Sequence, residues 1–251
     1  MRRFPFLDHP GPIPFAHRGG ASEAPENTLP AFQRAIDLGY RYLETDVHVT
    51  ADGVLVAFHD DRLDRVTDRT GRIADLPWSE VREARVDGRE PIPLLEDVLG
   101  AWPDARVNID PKQDDAVEPL VEVLRRTGAV DRVCVGAFSD ARIDRVRDAF
   151  DGAICTGMGP DQVIDLLSVM EGAERTFRSQ CVQIMAVDDN GRRFCTEALV
   201  ETAHAHGLVV HAWTVDDPGL MHELLDIGVD GIMTDRPVEL RRVLESRGTW
   251  A

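Results

Sequence analysis

Tyr42-Leu43-Glu44-Thr45-Asp46-Val47-His48-Val49 alternates with a period of two, the pattern of a β-strand that sends Glu44 and Asp46 from one face and Leu43, Thr45 and Val47 from the other. Two carboxylates on one half-buried face repel each other, and burying either unpaired is costly. A bound divalent cation, a basic partner or a shared proton resolves the conflict, and the cation is the first expectation. The flanks carry more chemistry: His17-Arg18-Gly19 lies upstream, and His59-Asp60 follows an Asp52-Gly53 turn downstream.

Working outward, short apolar runs alternate with amphipathic stretches along the whole chain, as in repeated βα units around a parallel sheet. Eight strands are expected, near 13–16, 42–49, 106–110, 132–138, 153–156, 181–185, 209–214 and 231–234. Helices are expected over 28–38, 116–126, 141–150, 162–170, 196–206, 218–227 and 237–245. Asn27 and Asp140 are placed to cap two of them, and Gly39, Gly128, Gly207 and Gly228 to end four. The count and order favour a TIM (β/α)8 barrel over an open doubly wound sheet, and 251 residues suit one such domain spanning 1–251. Only the second unit is irregular. After it the chain makes an excursion over about 61–104, too long for a plain loop and anchored by Ile73, Leu76, Trp78, Val81, Ile92, Leu94 and Leu95. It reads as a small inserted cap at the strand C-terminal end, where barrel active sites sit.

A net charge of −17 argues against binding nucleic acid or an anionic membrane through electrostatics, yet it leaves room for a small anionic substrate held by local positive charge. Cys134, Cys155, Cys181 and Cys195 form no C-x-x-C pair and read as buried free thiols. No run approaches the roughly 18 apolar residues of a membrane span, and the N-terminal stretch lacks an apolar signal core, so cytoplasmic residence is expected.

The third strand, Arg106-Val-Asn-Ile-Asp-Pro-Lys112, puts Asn108, Asp110 and Lys112 on one face. Beside the second strand, it lets Glu44, Asp46 and Asp110 converge as hard oxygen ligands for Mg²⁺ or Ca²⁺, with Mn²⁺ possible; Lys112 could instead neutralise these acids itself. His17 and His59 face the same mouth and suit the base and acid that phosphodiester cleavage needs. Arg18 can hold phosphate oxygens in its planar fork, or pair with Glu44 or Glu26. Pro25-Glu26-Asn27-Thr28 braces the entry to the first helix. Trp213 shares a strand face with His211 and either lines the pocket or packs in the core. His48 reads as a surface residue past the end of the second strand.

At these residues the chain resembles the glycerophosphodiester phosphodiesterase family. The matching pieces are Ala16-His17-Arg18-Gly19, Pro25-Glu26-Asn27-Thr28, Glu44-Thr45-Asp46-Val47, the stretch 50–53, His59-Asp60, Ile92-Pro93-Leu94-Leu95-Glu96, the stretch 110–112, Ala212-Trp213-Thr214-Val215 and Thr234-Asp235-Arg236-Pro237, all in family order. The resemblance implies a barrel with a small cap, one divalent cation, and hydrolysis of glycerophosphodiesters to glycerol 3-phosphate and an alcohol. By position Glu44 and Asp46 look like metal ligands, His17 and His59 like the acid/base pair, Arg18 and Lys112 like phosphate binders, and Trp213 like the pocket aromatic. The family usually has glutamate where this chain has Asp110, which reaches about one methylene less.

The expected partner is therefore a small glycerophosphodiester, with no nucleic acid and no integral membrane segment. Lysophospholipids or a polyol-phosphate polymer could compete for the same barrel. A non-catalytic glycerophosphodiester-binding barrel is the rival from another class, and it would have no use for an acid/base pair.

Overall fold

A computed structural model describes residues 4–188 and 190–251. Among these described residues eleven strands and nine α-helices follow in chain order: β1 (Ile13–Ala16), α1 (Leu29–Asp37), β2 (Tyr42–Val49), β3 (Leu55–Ala57), α2 (Trp78–Val81), β4 (Arg85–Val86), β5 (Glu90–Pro91), α3 (Leu95–Ala101), β6 (Arg106–Pro111), α4 (Val117–Thr127), β7 (Val133–Val135), α5 (Asp140–Ala149), β8 (Cys155–Thr156), α6 (Pro160–Met170), β9 (Cys181–Met185), α7 (Glu197–Ala205), β10 (Val209–Trp213), α8 (Pro218–Asp226), β11 (Gly231–Thr234) and α9 (Pro237–Ser246).

Eight parallel strands run in the order β8-β7-β6-β2-β1-β11-β10-β9. The ring closes between β8 and β9 through the bridge Gly157↔Cys181. There the Gln180 N–H donates to the Thr156 carbonyl and the Met158 N–H to the Cys181 carbonyl, each at 2.9 Å. This is the expected (β/α)8 barrel. Its main core lies between strands and helices, where the outward residues Leu43, Val47, Val107, Ile109, Val182 and Val210 meet Phe32, Leu95, Leu99, Leu120 and Leu199. A second cluster, including Phe6, Phe15, Tyr42, Met233 and three cysteines, fills the barrel interior.

The excursion after β2 divides in two. β3 returns antiparallel to β2, and the β4–β5 hairpin and α2 build a satellite core from Val56, Phe58, Leu63, Ile73, Val81, Val86 and Ile92. α3, by contrast, sends Leu95, Val98 and Leu99 into the barrel core, so it completes the second βα unit.

Both expected N-caps move by one residue. Thr28 caps α1, its hydroxyl accepting from the Ala31 N–H at 3.3 Å, because Asn27 adopts a left-handed φ of 55° and faces β2. Ser139 caps α5, while the Asp140 carboxylate accepts from the Asp161 N–H at 2.8 Å at the start of α6. Gly39, Gly128, Gly207 and Gly228 take the left-handed φ expected after helix ends. β7 stops at Val135, earlier than the apolar run suggested, and Gly136, Ala137 and Phe138 leave the sheet to line a cavity. Among the described residues no helix is long and apolar enough to cross a membrane.

Candidate active site

β2 and β6 pair in the register Glu44↔Asn108 and Asp46↔Asp110, so the acidic faces of the two strands lie side by side. They open into a cavity of about 550 Å³ at the strand C-terminal end. His17, Arg18, Glu44, Asp46, His59, Asp110, Lys112 and Trp213 all line it.

His17 and Arg18 sit in a one-turn 3₁₀ segment that follows β1. Arg18, Gly19 and Gly20 have φ of 51°, 83° and 96°, a left-handed run that turns the chain sharply toward β2. Side chains are excluded there: a Cβ on Gly19 would come within 2.8 Å of the Ala31 Cβ, and one on Gly20 within 2.7 Å of the Pro237 Cγ. The turn aims the Arg18 N–H at Glu44 Oε2, 3.2 Å away.

Each histidine is held by a carboxylate. His17 Nδ1 lies 2.7 Å from Asp235 Oδ1, and its Nε2 is 3.7 Å from Glu44 Oε2. His59 Nδ1 lies 2.6 Å from Asp60 Oδ1. Asp60 is gripped by Arg65 at 2.6 and 3.0 Å, and Arg65 in turn takes both oxygens of Glu26. With Nδ1 committed in both rings, each Nε2 is the nitrogen left for the cavity.

The acids carry their own cations. Lys112 Nζ bridges Asp46 Oδ1 and Asp110 Oδ2, each at 2.7 Å. Arg18 Nε lies 3.3 Å from Asp46 Oδ2, and its Nη1 donates to Glu26 at 3.2 Å. The basic-partner reading of Lys112 and the Glu26 pairing of Arg18 are thus the contacts seen. Burial, followed by the Asp46 charge, pushes the Glu44 carboxyl up to about 7. Burial also raises Asp110, whose Oδ1 is enclosed and accepts no hydrogen bond. Against its own burial, Lys112 and Arg18 hold Asp46 below the ordinary carboxylate range. Burial depresses His59; in His17 the charges of Glu44 and Asp235 outweigh burial and raise it. Burial thus disfavours the charged forms of Glu44 and Asp110 in the absence of a cation, and an all-carboxylate donor set suits a hard divalent cation such as Mg²⁺ or Ca²⁺.

His48 corrects the expectation of a surface position: it is buried inside β2, on the same face as Glu44 and Asp46. Its Nε2 lies 2.9 Å from the His59 carbonyl and its Nδ1 2.9 Å from Gln113 Oε1, so it fixes the backbone that carries His59. Asn27 bridges Thr45 and Asp46 at 2.7 and 3.3 Å, and Gln183 donates across the barrel to Asn108 at 2.7 Å. The Asp235 contact also escaped the reading of the sequence. Its signal was present, since closing a barrel sets the last strand beside the first and makes the residues just past Ala16 and Thr234 neighbours.

Beside the charged groups the cavity also has an apolar lining, with the Lys112 Nζ 5.9 Å from the centre of the Phe138 ring. Phe138, Ile164, Leu167 and Met185 line it while 66%, 64%, 44% and 37% exposed. Trp213 joins this lining, edge-on to Phe138 with ring centroids 5.7 Å apart.

The family model described as the glycerophosphoryl diester phosphodiesterase family matches residues 17–239. A Mycobacterium tuberculosis protein named "Probable glycerophosphodiester phosphodiesterase 2" is 43% identical, over 98% of this chain and 95% of its own length. The crystal structure of a glycerophosphodiester phosphodiesterase from Agrobacterium tumefaciens superposes with a TM-score of 0.75 at 26% identity, covering 91% of this chain and 99% of that one. A solved structure from Silicibacter pomeroyi DSS-3 reaches a TM-score of 0.82 at 25% identity, covering 99% of this chain and 100% of its own. An ordered motif set, a (β/α)8 barrel and a match extending from His17 to Glu239 agree, and the chain belongs to the glycerophosphoryl diester phosphodiesterase family.

Proposed function

We propose that this phosphodiesterase hydrolyses small glycerophosphodiesters to glycerol 3-phosphate and an alcohol, with His17 and His59 moving the protons and one divalent cation, Mg²⁺ or Ca²⁺, held by Glu44, Asp46 and Asp110. The observation that carries this reading is the pair of imidazoles, each oriented by its own carboxylate and each presenting Nε2 to one cavity that also holds the three acids. When bound, the cation supplies positive charge to a phosphoryl oxygen and offsets the charge that grows in the transition state. Arg18 and Lys112 compensate Asp46 here; once the acids are otherwise neutralised, both can turn to the phosphoryl oxygens. Trp213 closes the pocket over the carbon skeleton. Four free cysteines without a disulfide fit a reducing, cytoplasmic setting.

The test is release of glycerol 3-phosphate from glycerophosphocholine, with and without EDTA and after Mg²⁺, Ca²⁺ or Mn²⁺ add-back, for the wild type and for His17→Ala and His59→Ala. Metal-restored release, reduced about 10²- to 10⁴-fold in both variants, is expected. Near-normal turnover in both folded variants would remove the acid/base assignment, and full activity in EDTA would remove the cation.

One observation favours a second reading of the substrate. The exposed apolar lip of Phe138, Ile164, Leu167 and Met185 is continuous with the charged wall, so the cavity is amphiphilic and suits a diester bearing an acyl or alkyl chain, as in a lysophospholipid.

A further inference from the structure

Away from the catalytic cavity, Cys134, Cys155 and Cys181 project into the barrel from three consecutive strands, β7, β8 and β9. All three are buried, and their Sγ atoms lie within 4.8 Å of one another. The Sγ atoms of Cys134 and Cys181 are 3.7 Å apart. Metal–thiolate bonds of about 2.3 Å set sulfur atoms roughly 3.8–4.0 Å apart in tetrahedral or trigonal sites, so this gathering is within small side-chain motions of a coordination shell. A disulfide fits the Cys134–Cys181 pair poorly. β8 stands between their strands, and at a spacing of about 4.8 Å per strand their Cα atoms are roughly 9–10 Å apart, beyond the ~7 Å a disulfide can span.

A second feature points the same way. His211, on β10, is fully buried, and its Nε2 has no hydrogen-bond partner. Its Nδ1 is 3.5 Å from Gln183 Nε2 on one side, and its Cδ2 faces Gly231 on the other, which leaves Nε2 at the inward end of the ring. His211 lies outside the group whose donor atoms gather within 4.8 Å, so its imidazole would have to turn toward the three thiols to complete the donor chemistry of a soft-metal site.

The position also has a structural logic. β8 is only two residues long, and its link to β9 is a single bridge instead of a continuous ladder. We propose that Cys134, Cys155 and Cys181 form a structural site, trigonal or completed by His211 once its ring turns in, for a thiophilic d¹⁰ cation, zinc(II) foremost, that staples β7, β8 and β9 across the barrel's weakest seam. Binding replaces three S–H bonds by metal–sulfur bonds and releases three protons to solvent, with no electron transferred. Phe6, Phe15, Tyr42 and Met233 enclose the cluster, so the ion enters as the barrel folds. None of Cys134, Cys155, Cys181 and His211 lines the catalytic cavity.

The experiment uses the full chain expressed in zinc-supplemented medium, passed through a weak chelator and analysed for metal by mass spectrometry. To remove the hard-cation site it is done in the Glu44→Gln/Asp46→Asn background. One zinc per chain is expected there and with Cys195→Ser added, and none with Cys134→Ser/Cys155→Ser/Cys181→Ser. Refolding in cobalt(II) should give the intense near-ultraviolet sulfur-to-cobalt absorption of a thiolate site. One copper in place of zinc would support the site and reassign its ion to copper(I). A chain free of both metals after supplemented expression, with no cobalt–thiolate band, would overturn the proposal, as would a Cys134–Cys155 disulfide in the purified protein. If the triple variant fails to fold, metal content and the cobalt spectrum of the intact-cysteine chain still decide.

Discussion

His17 Nδ1 and Asp235 Oδ1 lie 2.7 Å apart although 218 positions separate them in the chain. The contact is a product of barrel closure. β1 pairs with β11 through Ala16↔Thr234, and His17 and Asp235 are the residues that follow those partners. Asp235 is itself positioned by its N–H, which donates to Asp216 Oδ1 at 2.8 Å. Asp235→Ala should leave the barrel folded but free the His17 ring, lowering kcat by roughly 10- to 100-fold with KM nearly unchanged, as expected for a lost orienting group. Steady-state kinetics on glycerophosphocholine, with circular dichroism as the folding control, would show this. A rise in KM alone would place Asp235 in substrate binding instead.

Lys112 links two acids on neighbouring strands, Asp46 and Asp110, and its side chain is 19% exposed. Replacing it by methionine leaves both carboxylates facing each other. Lys112→Met should therefore destabilise the EDTA-treated protein by about 2–4 kcal/mol, somewhat less than for a wholly enclosed pair because solvent screens part of the charge. Added Mg²⁺ or Ca²⁺ should recover more stability in the variant than in the wild type, since the ion then does what the ammonium did. Urea melts with and without cation measure both quantities. Equal cation effects in the two proteins would separate Lys112 from the metal site.

Glu44 gives a pH dependence whose sign can be worked out. Burial and the Asp46 charge raise its carboxyl from 4.5 to about 7, so the folded chain holds this proton more tightly than the unfolded chain does. The stabilisation is fully present below about 4.5 and is lost as pH rises through about 7. In EDTA the wild type should lose stability across that window, while Glu44→Gln, which mimics the protonated form, should show a flatter profile and be the more stable of the two at pH 8. Divalent cation at pH 8 should stabilise the wild type and leave Glu44→Gln largely unmoved. A wild-type profile as flat as that of the variant would contradict a Glu44 carboxyl raised by burial.

Much of this arrangement could be read from the sequence because its signals are local. The alternation of Tyr42–Val49 placed Glu44 and Asp46 on one face, and the same rule placed Asn108 and Asp110 on theirs. The strands expected at 13–16, 42–49, 181–185 and 231–234 kept their bounds and that at 153–156 shortened to Cys155–Thr156, whereas the run after Arg132 broke off at Gly136, where Gln183 Oε1 comes within 2.5 Å of where a Cβ would sit. That obstacle comes from another strand and leaves no mark in the local pattern. His48 was misplaced for a similar reason: its partners Gln113 and the His59 carbonyl lie on segments that only tertiary structure brings to β2. The apolar lip was missed because Ile164 and Leu167 sit on a helix whose pattern is the same whether that face meets the core or a substrate.

That lip carries the last prediction. Ile164 and Leu167 stand three residues apart on α6, both exposed and both lining, with Phe138 and Met185, the cavity that also holds the charged groups. A small polar diester such as glycerophosphocholine engages the charged wall and owes little to the lip, whereas a chain-bearing diester loses apolar contact when the lip becomes polar. Ile164→Asp/Leu167→Asp should therefore raise KM for lysophosphatidylcholine by at least about tenfold, the equivalent of ~1.4 kcal/mol or roughly 55 Å² of apolar contact, and change glycerophosphocholine turnover by less than about twofold. The comparison is made on monomeric substrate, below micelle formation, so that surface binding does not enter. Equal losses on both substrates would mean that the double change disturbs α6 and the site as a whole. No loss on either would show that the lip does not hold the substrate, and the small polar diesters would then stand as the preferred class.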